Sequence, residues 1–180
     1  LKNLIRVIKE TYNFDFGDYA ISSFKRRVER IIMLYNVKSI EELTEKIKSS
    51  KHICYDFVKE ITVNTTEMFR DPSFYLTFRK KVVPMLKTYP TVQIWLAGCS
   101  TGEEVYSLAI LLREERLYDK SRIYATDISH AVLRKARDGI FPMAVMREYT
   151  NNYHRAGGTN EFSDYYTARY DSVIFDSSLR

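Results

Sequence analysis

Several things are scarce in this 180-residue chain, and each scarcity removes a class of protein. No apolar run approaches the ~20 residues that a bilayer-spanning helix needs. The opening Leu1-Lys2-Asn3-Leu4-Ile5-Arg6 is interrupted by charge and does not resemble a secretory signal. Cysteine occurs twice, as Cys54 and Cys99, in unrelated contexts with no metal spacing. That pattern predicts a reduced, cytoplasmic setting. The three histidines, His52, His130 and His154, are scattered and follow no ligand pattern, so no metal is expected. No Ser–His–Asp or Cys–His arrangement is present, and Cys99 suits packing better than nucleophilic chemistry. Internal repeats and low-complexity tracts are missing too.

What is present suits a folded domain or two. Forty-five per cent of residues are apolar, enough for a core, which excludes a disordered chain. The formal net charge of +5 points to an acidic partner. The 14 tyrosines and 10 phenylalanines suit core and strand packing better than a base-stacking surface.

The first sixty residues carry helical periodicity. Leu4, Ile5 and Ile8 mark one helix. A second, from about Tyr19 to Tyr35, sets Phe24, Val28, Ile31, Ile32 and Tyr35 on one face and Lys25, Arg26, Arg27 and Arg30 opposite. Ser39-Ile40-Glu41-Glu42 is a capping box that opens a third helix, with Leu43 and Ile47 inward. Ile53, Phe57, Val58 and Ile61 mark a fourth, giving a compact bundle. The polar stretch from Val63 to Arg70 reads as a joining loop. Asp71 should cap a helix begun by Pro72, and Pro84 should kink or end it near Val83.

Two strand–helix units follow. Val92 to Ala97 and Arg122 to Ile128 read as strands. Helices are expected from Glu103 to about Arg116 and from a Ser129 cap to Gly139. Alternating β and α predicts a parallel sheet. Beyond Pro142, the Ala156–Asn160 turn and the run Phe162, Tyr165, Tyr166, Tyr170, Val173, Ile174 and Phe175 predict short antiparallel strands. Two parallel strands are few for a doubly wound sheet, so the chain is expected to be a shortened form of its parent.

The stretch Ile94-Trp95-Leu96-Ala97-Gly98-Cys99-Ser100-Thr101-Gly102-Glu103-Glu104 bears most directly on function. It is a strand, a turn of small residues and a helix that begins with two acids. Gly98 and Gly102 allow close approach of a ligand to the turn. A helix N-terminus ordinarily attracts an anion, but Glu103 and Glu104 fill that place. The ligand should be a nucleoside without phosphates, and the cationic S-adenosylmethionine fits. The dinucleotide pattern G-x-G-x-x-G is missing. Asp127, at the end of the second strand, can accept from ribose hydroxyls. Asn64, Thr66 and Arg70 put an amide, a hydroxyl and a cation in one loop, and Arg70 can pair with a carboxylate.

Three blocks, Thr62–Asp71, Trp95–Ser107 and Ala125–Ser129, resemble in order and spacing those of the CheR-type chemoreceptor methyltransferases. The resemblance runs through essentially the whole chain, including Arg27, Arg30 and the Asn152-Tyr153…Ala156-Gly157-Gly158 stretch. It implies an α/β fold: an N-terminal all-α helical domain over 1–63, the first part of a Rossmann-like S-adenosylmethionine-dependent methyltransferase domain over 64–149, and a small antiparallel β-subdomain over 150–180. It implies methyl transfer from S-adenosyl-L-methionine to glutamate side chains in the cytoplasmic methylation region of chemotaxis receptors, with S-adenosyl-L-homocysteine as product. Cofactor contacts then fall on Asn64, Thr66, Arg70, Glu103 and Asp127, beside Gly98 and Gly102. Lys25, Arg26, Arg27 and Arg30 are the expected receptor-binding residues. Neither nucleic acid nor membrane insertion is expected. No catalytic base is assigned, and Arg70 is a positioning residue. Family members continue with an Asn-Leu strand and a Cys-Arg-Asn-Val-type segment that this sequence does not contain. Two alternatives stay open: a methyltransferase acting on another substrate such as RNA, and a non-catalytic cofactor- or receptor-binding relative.

Overall fold

A computed structural model describes residues 1–62 and 66–180. The chain divides into two compact units, Leu1–Val63 and Asn64–Arg180.

The first unit is helical: α1 (Lys2–Tyr12), α2 (Ile21–Leu34), α3 (Ile40–Ser49) and α4 (Lys51–Ile61). Each presents apolar residues at three- and four-residue spacing, which one helical face requires. Leu4 and Ile8, Phe24, Val28 and Ile31, Leu43 and Ile47, and Phe57, Val58 and Ile61 form its core. Ser39 caps α3, its Oγ accepting from the Glu42 amide at 3.2 Å. Glu42 reaches back one residue further than a capping box requires, to the Lys38 amide at 2.8 Å. A single residue, Ser50, joins α3 to α4 and caps the latter.

Arg27 corrects the expected basic face. Lys25, Arg26 and Arg30 are exposed, but Arg27 is half-buried. Its guanidinium donates to the Ile61 carbonyl at 3.1 Å, and its Nε is buried without a partner. The reason is angular: Arg27 lies one residue from Val28 and three from Phe24, at the margin of the apolar stripe.

The second unit opens with α5 (Pro72–Thr77), which passes through a π-helical turn, Phe78–Val82, into α6 (Val83–Lys87). Two expectations fail here. Asp71 makes no side-chain cap; its backbone is left-handed, with φ of 55°, and its carbonyl accepts from Phe74. Pro84 does not end the helical stretch, which runs on to Lys87. The wider π turn precedes it, so the missing proline N–H falls in the first turn of α6, where no intrahelical partner is needed.

Strands β1 (Val92–Ala97) and β2 (Ser121–Thr126) pair in parallel, Val92 beside Ser121 and Ala97 beside Thr126. Between them runs α7 (Glu103–Glu114), whose residues Leu108 to Leu112 are buried all round. Ile94, Leu96 and Ile123 pack toward the core, while Trp95 and Tyr124, on the opposite face by the two-residue period of a strand, are 71% and 46% exposed. After β2 comes α8 (His130–Asp138), closed by Gly139 in the left-handed conformation.

The remaining strands, β3 (Ile140–Pro142), β4 (Tyr166–Arg169) and β5 (Ser172–Phe175), form an antiparallel sheet in the order β3-β5-β4. Phe162–Tyr165 is a 3-10 turn where a strand was expected, because Phe162 and Tyr165, three apart, are both buried on one side. Helix α9 (Met146–Arg155) was not anticipated. Its buried Met146, Tyr149 and Tyr153 repeat at helical spacing.

Candidate functional site

The site gathers where β1 and β2 end and α7 begins. The Gly98 and Cys99 amides both donate to the Thr126 carbonyl, at 2.8 and 2.9 Å, so the turn after β1 is bonded to the last residue of β2. Asp127 completes the joint. One carboxylate oxygen accepts from the Ser100 amide at 2.9 Å and the other from the Ser129 amide at 2.8 Å. This second bond replaces the expected Ser129 side-chain cap of α8. Each carboxylate oxygen offers two acceptor positions, so Asp127 keeps capacity for a ligand hydroxyl.

The two glycines do different work. Gly98 has φ of 75°, and a Cβ built there meets nothing within 4 Å. The turn is open on that side. At Gly102, φ is 99° and a Cβ would stand 2.8 Å from that of Ala136. Gly102 thus lets the turn pack on α8, a need the sequence reading did not foresee. Ser100, with φ of 50°, carries a buried hydroxyl without a partner beside the same turn.

Glu103 is only 6% exposed. The Thr101 hydroxyl donates to its carboxylate at 2.6 Å, and the Tyr149 hydroxyl and the Lys135 charge favour its ionised form. Burial outweighs them and raises its pKa above the usual carboxylate value. Glu104, beside it, is exposed. Burial likewise raises the Cys99 thiol, with the Asp127 charge adding to it, so Cys99 is not an activated nucleophile.

The other wall is the loop that precedes α5. Asn64 lies outside the described residues. Thr66 is half-buried and Arg70 exposed. Phe69 has φ of 51°, a conformation that costs a bulky residue on the order of 1–3 kcal/mol. It is held there because its amide donates to Ser107 Oγ at 2.8 Å and its ring packs edge-on against Tyr75 and Tyr153. Ser107 in turn donates to the Glu103 carbonyl at 2.7 Å. The structure therefore connects the Thr66–Arg70 loop, Glu103 and Asp127 through α7. Ser107 and Asn152 stood in stretches that carry the resemblance, but their contacts, like Tyr149 itself, escaped sequence reasoning; the helical spacing of α9 was the available signal for Tyr149 and Asn152. The basic residues Lys25, Arg26 and Arg30 belong to the first unit.

An open turn at the carboxyl ends of parallel strands, floored by acids instead of phosphate-binding donors, defines a nucleoside site of the α/β class. The comparisons sharpen that class. The CheR methyltransferase SAM-binding domain matches residues 64–171, and the CheR methyltransferase all-alpha domain matches residues 1–62. The chain belongs to the CheR methyltransferase family. It is 44% identical over 180 residues to the Pseudomonas putida protein named Cher3, covering 100% of this chain and 66% of that one. It is 36% identical over 155 residues to a chemotaxis protein methyltransferase of Borreliella burgdorferi, covering 77% of this chain and 54% of the relative. A Listeria innocua chemotaxis protein methyltransferase is 31% identical over 156 residues, 84% of this chain and 58% of that protein. The chain thus spans less than two thirds of the length of these relatives. Its helical unit is the family's all-α domain, and its second unit belongs to the methyltransferase fold, with S-adenosyl-L-methionine as cofactor. The residues present fit that group: an open glycine turn, an orphan hydroxyl, the buried acid Glu103 and the half-buried Asp127 suit a nucleoside bearing a positive charge.

Proposed function

We propose that the chain serves a protein-glutamate O-methyltransferase that modifies the cytoplasmic methylation region of chemotaxis receptors. The observation that carries the reading is the buried acid Glu103 in the first turn of α7, joined through Ser107 to the Thr66–Arg70 loop. Asp127 and Glu103 are the proposed acceptors for the ribose and adenosine. Asn64, Thr66 and Arg70 hold the methionine end, Arg70 by pairing with its carboxylate. Gly98 gives the ligand room above the turn.

The chemistry asks little of the protein beyond alignment. S-adenosylmethionine, when bound, supplies a methyl group already activated by its sulfonium. The substrate glutamate is ionised at neutral pH and needs no base. Holding reactants in line is worth up to ~7–11 kcal/mol, so the loop and the acids act by orientation and by excluding water. That accounts for a site with no residue in the role of general base.

The proposed receptor contact is the exposed part of α2, where Lys25, Arg26 and Arg30 attract an acidic helical surface. Arg27 is left out, because its guanidinium holds the end of α4. The cytoplasmic setting is part of the same proposal: both cysteines are free and buried, and among the described residues no helix is long and apolar enough to cross a membrane.

The decisive measurement is calorimetry with S-adenosylhomocysteine on Asp127→Asn and Asp127→Ala. Affinity should fall at least about tenfold for either, since each removes a charged acceptor. Unchanged affinity overturns the assignment. Charge reversal at Arg26 and Arg30 should slow methyl transfer to receptor membranes and leave cofactor affinity alone. Transfer to RNA in place of receptor would reject the substrate.

A further inference from the structure

The loop from Thr66 to Asp71 lies outside any helix or strand, yet it buries Met68 and Phe69 completely. The peptide bond between them carries one acceptor, the Met68 carbonyl, and one donor, the Phe69 amide, and a buried peptide needs partners for both. Side chains from two helices supply them. The Asn152 amide, on α9, donates to the Met68 carbonyl at 3.2 Å. Ser107 Oγ, on α7, accepts from the Phe69 amide at 2.8 Å. One peptide plane is thus pinned at both of its polar ends, and it cannot turn over without breaking both bonds. Asn152 is 7% exposed, its amide also approaches the Glu67 carboxylate at 3.5 Å, and the ring of its neighbour Tyr153 packs on Phe69. Just past the pinned peptide, Arg70 stands between two left-handed residues, Phe69 at φ of 51° and Asp71 at 55°. Neither is a glycine, so the bend is held by its surroundings.

We infer that Asn152 is a positioning residue of the cofactor site: with Ser107 it fixes the Met68–Phe69 peptide plane, and so aims Thr66 and Arg70 at the amino-acid end of the cofactor. The inference rests on the reading that this loop holds the methionine moiety. The orientation of a peptide plane sets the backbone angles on either side of it, and Arg70 follows one residue later. An arginine on a loop that can turn over is competent to pair only part of the time, and apparent affinity falls by that fraction. Pinning the peptide removes the loss. The residue type matters as well. A leucine of similar size leaves the buried Met68 carbonyl unpaired, and an aspartate sets an acceptor against it, close to the Glu67 carboxylate. The ribose end is served by another joint, since Asp127 is held by the Ser100 and Ser129 amides. Loss of the Asn152 donor is therefore felt at one end of the cofactor only.

The test is calorimetry with two ligands, S-adenosylhomocysteine and adenosine, which lacks the amino-acid end. The proteins are wild type, Asn152→Ala, Asn152→Leu and Arg70→Ala. Both Asn152 variants should lose about tenfold in affinity for S-adenosylhomocysteine, the worth of one buried hydrogen bond, and less than about twofold for adenosine. Arg70→Ala should show the same split between ligands. If the Asn152 variants weaken both ligands alike, or neither, the residue serves the scaffold alone and the inference fails; a split at Arg70→Ala then leaves the loop reading standing. If Arg70→Ala binds S-adenosylhomocysteine like wild type, the loop reading fails and takes the inference with it. Amide hydrogen exchange on wild type decides even where a variant does not fold. The Phe69 amide should exchange far more slowly than that of the exposed Arg70, and equal rates would mean that the peptide is not pinned.

Discussion

The two ends of α7 each bury a glutamate, and they treat it in opposite ways. At the carboxyl end, Glu114 meets a field that disfavours it, because helix carbonyls point there. It is rescued by bonds from Arg79, Tyr153 and Tyr165. Arg79 also pairs with Glu115 at 2.9 Å and donates to the Ala156 carbonyl at 3.1 Å. One guanidinium thus ties the π-helical turn, α7 and the end of α9 together. At the amino end, Glu103 enjoys a favourable helix field yet is held by hydroxyls, and burial still raises its pKa. A buried acid with a cation in contact is a structural joint. One held by hydroxyls beside an open glycine turn keeps acceptor strength for something that arrives.

That contrast can be broken by mutation. Glu114→Ala should have the largest effect, about 3 kcal/mol of lost stability, because it takes the shared acceptor from Arg79, Tyr153 and Tyr165, although Arg79 keeps Glu115. Denaturant unfolding measures it, and a loss under about 1 kcal/mol would reject the joint. Tyr153→Phe should cost about 1–2 kcal/mol in the same measurement, because its hydroxyl donates to the charged Glu114 and accepts from the Asn160 amide.

Glu103→Gln should change stability less, and with a definite pH dependence. The raised pKa means that the folded chain binds more protons than the unfolded one between the ordinary carboxylate value and the raised one. Wild-type stability therefore falls as pH rises through that window and stays reduced above it. The glutamine variant lacks this fall, so unfolding curves across pH should show it gaining on wild type as pH rises. A constant difference would mean that Glu103 is not the titrating group. Lys87→Ala should be smallest, below about 0.5 kcal/mol, since its pair with Glu115 is exposed on the lysine side.

The same contrast explains what could be read from the sequence. Periodicity located α1 to α4, β1, α7 and the Gly139 stop, because each rests on local spacing or on one residue's backbone preference. The turn around Gly98 and the acids Glu103 and Asp127 were legible for the same reason: strand, glycine and acid are neighbours in the chain. What local pattern does not carry is long-range. Arg27 looked like a surface cation, and only the position of the α4 terminus turns it inward. Pro84 looked like a helix end, and only the π turn before it absorbs the missing donor. Nothing local to Gly102 shows that α8 brings Ala136 against its Cβ side. The Arg79–Glu114 joint links residues thirty-five apart, with no motif to announce it.

Trp95 has a use of a different kind. It is the chain's one tryptophan, it lies on the open face of β1 three residues before Gly98, and its indole N–H donates to the Thr126 hydroxyl at 2.9 Å, next to Asp127. This sequence therefore carries a single indole, excitable apart from its tyrosines, wet and hydrogen-bonded at the rim of the turn. Its emission reports directly on that rim, so titrations can be followed optically without a label, and a blue shift marks any event that dries this face of the sheet.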